Sequence, residues 1–216
     1  MGTITLIRHG QANSAAQDEE SYDRLSDLGR QQATWLGEHM RAQGEVFDLV
    51  LTGSLSRHLA TAEAMGPLGP APVIDPRLNE MDYFNLARAL HDTHDIPLPG
   101  PENFALHIEQ VMEAWHKAEI MGQESFADFE ARVTSVLTEA AEPGKRVLCI
   151  TSGGVIGMVV RHLLRLDPTR LAHILLPIFN SSVHRVRVLD HATILGGFNA
   201  IPHLEAQERA YARTHF

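Results

Sequence analysis

Short apolar runs alternate along the chain with stretches of helical spacing. Residues 3–7 are β-branched and apolar and stop at Arg8-His9-Gly10, which predicts a short buried strand followed by a loop. Residues 11–25 are polar and rich in small side chains and predict a loop. Ser26 suits a helix cap; behind it Leu28, Trp35, Leu36 and Met40 share one helical face, with Gly44 as the stop. Phe47 to Leu51 predicts a second strand, Leu55 to Met65 a helix ended by Gly66-Pro67, and Pro72 to Asp75 a short third strand. Residues 81–124 are less regular, with a helix expected from about Glu102 to Met121. Ser125-Phe126-Ala127-Asp128 has the form of a capping box, with its helix reaching Ala141. Pro143-Gly144 is a turn, Arg146 to Thr151 a buried strand, and Gly153-Gly154 opens an apolar helix from Val155 to Leu166. Pro168 starts a short helix, and Ser182 to Leu189 and Thr193 to Phe198 predict a final strand pair.

Strands alternating with helices predict an α/β fold, a largely parallel central sheet flanked by helices on both faces. No repeat, low-complexity tract or linker interrupts residues 1–216, so a single domain is expected, with 81–124 as a helical insertion over one end of the sheet. Hydrophobic residues at 44% and charged residues at 21% of 216 exclude a disordered or collagen-like chain. Eighteen Lys and Arg against 27 Asp and Glu give a net charge of -9, which provides no general attraction for nucleic acid or anionic membrane. With one cysteine, Cys149 in an apolar run, an intrachain disulfide and a cysteine zinc site are excluded. The chain shows neither a signal peptide nor an apolar stretch of about 18 residues, so a cytoplasmic location is expected.

In an open α/β sheet, ligands bind beyond the carboxyl ends of the strands. The residues that follow the expected strands are Arg8, His9 and Gly10; Thr52, Gly53, Ser54 and then Arg57; Arg77, Leu78, Asn79 and Glu80; and Thr151, Ser152, Gly153 and Gly154. Arginines, a histidine, a carboxylate and a glycine-opened helix start suit a phosphate. Arginine grips phosphate oxygens in a two-pronged way, and helix-start N–H groups add donors. A neutral imidazole can attack phosphorus, and a carboxylic acid can protonate the leaving oxygen.

The chain resembles the histidine phosphatase superfamily, also called phosphoglycerate mutase-like. The resemblance rests on the strand ending in Arg8-His9-Gly10, on Leu25-Ser26-Asp27-Leu28-Gly29-Arg30-Gln31-Gln32-Ala33, and on the segment from Thr52 to Ala62. It continues in Leu78-Asn79-Glu80 and in Asn199-Ala200-Ile201-Pro202-His203-Leu204. It implies that His9 is phosphorylated and then hydrolysed, that Arg8 and Arg57 hold the phosphoryl group, and that Glu80 is the general acid. Gln11, Ser152 and Gly153 are further candidates for phosphate or substrate binding. The resemblance implies no metal and no cofactor. The expected partner is a small phosphorylated molecule, with a phosphoprotein as the larger variant, and the chain itself is expected to be a monomer or homodimer.

One residue departs from the family's pattern. Ser152 stands where the resemblance calls for a second histidine. A hydroxyl is a neutral and shorter donor, and the exchange should cost about 1–3 kcal/mol of transition-state binding, a rate loss rather than abolition. His58, His91, His94 and His107 are the histidines available to fill the gap. Ser152 alternatively reads as a helix cap. Three rival functions follow. A catalytically weak phosphate-binding or regulatory protein rests on the missing histidine. A phosphoglycerate mutase-type transferase would want a basic cluster that 81–124 lacks, though Arg88 and Lys117 are there. A serine hydrolase would use Ser152, but the first glycine of Gly-x-Ser-x-Gly is missing. His91-x-x-His94 lacks a third ligand and predicts no metal site.

Overall fold

The computed structural model describes residues 1–13, 16, 18–100 and 102–215. In chain order the elements are β1 (Gly2–Arg8), α1 (Glu19–Tyr22), α2 (Asp27–Ala42), β2 (Leu49–Thr52), α3 (Ser56–Met65), β3 (Val73–Ile74), α4 (Tyr83–His94) and α5 (Phe104–His116). Then come α6 (Phe126–Ala140), β4 (Arg146–Thr151), α7 (Gly153–Leu164), α8 (Leu171–Leu175), β5 (Val183–Val188) and β6 (Thr193–Ala200), with short 3₁₀ turns between and after them. Among the described residues six strands form one sheet in the order β3-β2-β4-β1-β5-β6. β1, β2, β3 and β4 run parallel; β5 and β6 form the antiparallel edge.

The central strands are buried on both faces, which is why they read as near-continuous apolar runs. In β1, Ile4 and Leu6 join the larger core with α4 to α7, while Ile7 joins Leu36, Met40, Met65, Leu148 and Ile150 on the α2–α3 side. The period-2 alternation of a strand thus feeds two separate cores. Caps end the helices where the sequence placed them. Ser26 Oγ accepts from Gly29 N at 3.0 Å, and Ser125 and Asp128 make the reciprocal capping box.

Three expectations change. The stretch expected as loop at 11–25 contains α1, a four-residue helix capped by Asp18, too short and polar to show a periodic apolar face. Ser14, Ala15 and Gln17 of that stretch lie outside the described residues. Second, the irregular start of 81–124 is helix α4, whose Leu86, Ala87 and Leu90 are buried. With Ile108, Val111 and Met112 of α5 they belong to the larger core, so the helical insertion expected at 81–124 packs into that layer. Third, α5 stops at His116, because Ala118 takes a left-handed conformation (φ 56°) and turns the chain. Among the described residues no helix is long and apolar enough to cross a membrane.

Candidate active site

Strand register assembles the site. Arg8 lies opposite Thr151, and Thr52 opposite Ile150, so the residues that follow β1, β2 and β4 emerge side by side. His9 N donates to Thr151 O at 2.9 Å and Gly53 N to Ile150 O at 3.0 Å, carrying the ladder one step beyond each strand. His9 is 1% exposed. Its Nδ1 lies 2.7 Å from Gly10 O; a carbonyl only accepts, so Nδ1 carries the proton and the lone pair sits on Nε2. Burial, Arg57, Arg8 and His58 together hold the His9 imidazole well below the usual histidine range, in its neutral form.

Two buried guanidiniums flank it. Arg8 donates from Nη1 to Ile178 O, and its Nε has no hydrogen-bond partner among the described residues. Burial lowers its pKa, the charges of Tyr22 and Glu80 opposing. Arg57, at the start of α3, donates from Nη1 to Glu19 Oε1 (2.7 Å) and Asp23 Oδ1 (3.1 Å), and its Cζ lies 5.0 Å from the Tyr22 ring centre. Burial pulls Arg57 down, but Glu19 and Tyr22 outweigh it and the net shift is upward. Arg57 Nε and Nη2 also lack partners among the described residues. Buried charged donors without acceptors are rare, and here three belong to two arginines whose charges both act on the His9 ring, an arrangement that suits a tetrahedral anion.

Glu80 lies within electrostatic reach of both arginines. Its Oε2 accepts from Gly154 N at 3.0 Å and its Oε1 from Met81 N at 3.0 Å, at the N-terminus of α7. A Cβ on residue 154 would come within 2.1 Å of Glu80 Oε1, so a side chain there would displace the carboxylate from this position. Gly153 lies beside Arg8 Nε and Glu80 Oε2, at 3.7 and 4.0 Å from its would-be Cβ. The structure therefore brings Arg8, His9, Arg57, Glu80, Ser152 and Gly153 together. Gln11 stands apart in its bonds, which fasten the loop to α2. Its N donates to Gln32 Oε1 (2.8 Å), and its Oε1 accepts from Ser26 Oγ (2.8 Å).

Several residues were not legible as site residues. Glu19, Tyr22 and Asp23 come from α1, and Asp23 also accepts from Ser56 N (2.8 Å) and Arg57 N (3.1 Å), capping α3 from a distance. Tyr22 starts a chain of ring contacts: 6.3 Å to His9 and 6.1 Å to Phe84, which leads to Tyr83 and Phe104. Ser152 does not cap α7 with its side chain; its Oγ lies 2.6 Å from His58 Nε2. His91 faces Ile96 O, His94 faces Glu119, and His107 pairs with Tyr83, away from Ser152. Among the described residues no group of three or more His, Cys, Asp or Glu could hold a metal ion.

The C-terminal signature braces rather than lines the pocket. Asn199 accepts from Phe179 N (2.8 Å) and donates to Pro177 O (2.5 Å), gripping the loop whose Ile178 carbonyl holds Arg8. His203 Nε2 lies 2.8 Å from Ser181 Oγ, and Ser181 N donates to His9 O.

Residues 4–200 match the family model of the histidine phosphatase superfamily, branch 1. The chain belongs to that superfamily. Among its relatives are two proteins named 2,3-bisphosphoglycerate-dependent phosphoglycerate mutase. One, from Zymomonas mobilis, is 28% identical over 82% of this chain and 90% of its own length. The other, from Allorhizobium ampelinum, is 31% identical over 47% of this chain and 59% of its own length. Of the latter the matched region thus spans little more than half. A mutant phosphoserine phosphatase from Entamoeba histolytica, solved with phosphoserine, shares the fold with a TM-score of 0.71 at 19% identity, over 94% of this chain and all of that one. Bacillus stearothermophilus YhfR aligns at TM-score 0.67 and 23% identity, over 95% and 100%.

Proposed function

We propose that this protein is a metal-independent phosphatase that hydrolyses a small phosphomonoester through a phosphohistidine at His9. The observation that carries the reading is the His9 imidazole: neutral, bonded through Nδ1 to Gly10 O, and flanked by two arginines with buried, unpartnered donors. In the first step His9 Nε2 attacks phosphorus, the P–O bond to the leaving group breaks, and protonated Glu80 gives its proton to the leaving oxygen. In the second step the Glu80 carboxylate takes a proton from water, the water oxygen attacks phosphorus, and the P–N bond breaks to release phosphate. Arg8 and Arg57 neutralise the equatorial oxygens in both steps. Gln11 acts indirectly, by holding the loop that carries His9. The aromatic run Tyr22–Phe84–Tyr83 gives the leaving group an apolar wall, which favours a small organic phosphate over a phosphoprotein.

A mutase reading is favoured by the names of the relatives; it requires a phosphoenzyme that outlives substrate exchange. The test is phosphate release from an aryl phosphate with chelator present, in wild type and His9→Ala, alongside phosphoryl transfer between the two monophosphoglycerates. Turnover that survives chelator and disappears in His9→Ala supports the phosphatase. Transfer faster than hydrolysis favours the mutase. No turnover with retained phosphate binding points to a binding or regulatory member.

A further inference from the structure

We infer that His58 is a positioning residue that acts through Ser152, turning the serine hydroxyl into a directed donor for the phosphoryl group held beside His9. The inference rests on the phosphatase reading of this pocket. Ser152 occupies the N-cap position of α7, yet its side chain makes no capping bond and is 2.6 Å from His58 Nε2. Both residues are completely buried. The His58 ring is 5.7 Å from the His9 ring, and His58 directly follows Arg57 on α3.

The tautomer of His58 decides what the pair does. Nδ1 has no hydrogen-bond partner among the described residues and faces Gly53, where a Cβ would lie 2.2 Å away. An N–H in that slot would be a buried donor without an acceptor, so the proton belongs on Nε2. His58 then donates to Ser152 Oγ. A hydroxyl has one proton, and with its oxygen accepting from His58 that proton is left for a third group. At the next residue, Gly153, a would-be Cβ would lie 3.7 Å from Arg8 Nε and 4.0 Å from Glu80 Oε2, so the backbone that carries the hydroxyl passes beside both groups. Burial, then the charge of Arg57, keeps the His58 ring neutral, which lets it serve as a fixed dipole rather than a cation. The family's pattern calls for an imidazole at position 152, where this chain has serine. The structure carries one a single hydrogen bond further back, from a helix 94 positions earlier in the chain. Gly53 belongs to the same device, because any side chain there would collide with the ring.

The test is a double-mutant cycle of Ser152→Ala and His58→Phe, with His58→Gln as the conservative variant whose amide keeps a donor. The probes are an aryl phosphate for kcat and KM, and orthovanadate and inorganic phosphate for binding to the pocket. Each single variant is expected to lower kcat about tenfold with KM nearly unchanged, the strength of one hydrogen bond to a charged group. The double variant should be no worse than either single, and His58→Gln should keep most of the activity. Thermal unfolding of each variant separates misfolding from loss of function. If His58→Phe does not fold, His58→Gln in the wild-type and Ser152→Ala backgrounds completes the comparison. Losses that add in the double variant, or a His58→Phe enzyme with unchanged kcat and vanadate affinity, overturn the inference. If wild type turns over no phosphate ester, the phosphatase reading fails by itself. The same cycle read in vanadate affinity then decides the pairing: coupled losses support it, and equal affinities overturn it.

Discussion

At the scale of single residues, the imidazole and the carboxylate that would do chemistry are each held by backbone groups. His9 Nδ1 is tied to Gly10 O, and Glu80 accepts from Gly154 N and Met81 N. Such bonds fix orientation without spending another side chain. Glu80→Gln preserves the shape but cannot give a proton. Its kcat should fall about 10²–10⁴-fold on an alkyl phosphate, and far less on an aryl phosphate whose leaving group departs as an anion. Steady-state kinetics on both ester types checks this; equal losses on the two would remove Glu80 from the acid role. Phe84→Ala tests the wall: KM for the aryl ester should rise several-fold, on the order of 1 kcal/mol for a lost ring contact, with inorganic phosphate binding unchanged. Arg8, His9, Arg57 and Glu80 were legible because each stands at or beyond the carboxyl end of a strand. Tyr22 and Glu19 were not, because nothing in their local sequence marks a four-residue helix that reaches Arg57 across 38 positions.

Elements meet here by close backbone approach. A Cβ on Gly37 of α2 would fall 1.9 Å from Met65 O at the end of α3, so the two helices touch through a missing side chain. Gly37→Ala must push α2 and α3 apart. It is expected to reduce the unfolding free energy by about 1–3 kcal/mol, a few degrees in Tm, with the urea m-value unchanged. A variant with wild-type stability would mean that α3 is free to shift, and with it Arg57 and His58. The strongly periodic elements, α2, α6, β1 and β4, were readable from pattern and caps. Helix α4 was missed although Leu86 and Leu90 stand one turn apart, because the polar and histidine-rich remainder diluted the signal.

At the scale of the whole molecule, the fold buries further histidines in neutral form, behind the loops that carry the site. Burial pushes His184 and His203 down to about 3. Below the ordinary pKa of 6.5, the unfolded chain binds protons that the folded chain refuses. Stability therefore rises with pH and is lost as pH falls from about 6.5 toward 3, by roughly 1.4 kcal/mol per pH unit for each histidine. Urea unfolding at pH 7, 6 and 5 should give steadily falling free energies, about 2 kcal/mol per histidine lower at pH 5. A flat profile would mean these rings are hydrated or protonated in the native state. What the sequence by itself determined is the α/β alternation, the depth of the central strands, the caps, and the cluster of Arg8, His9, Arg57 and Glu80 at strand ends. Those follow from local periodicity and from the rule that parallel strands present their carboxyl ends together. Only the tertiary structure decided that α1 delivers Glu19, Tyr22 and Asp23 to Arg57, that Asn199 and His203 brace the loop behind Arg8 and His9, and that Ser152 is backed by His58. These depend on contacts between residues far apart in the chain, and hydrogen bonds of that kind leave no periodic trace in the sequence that makes them.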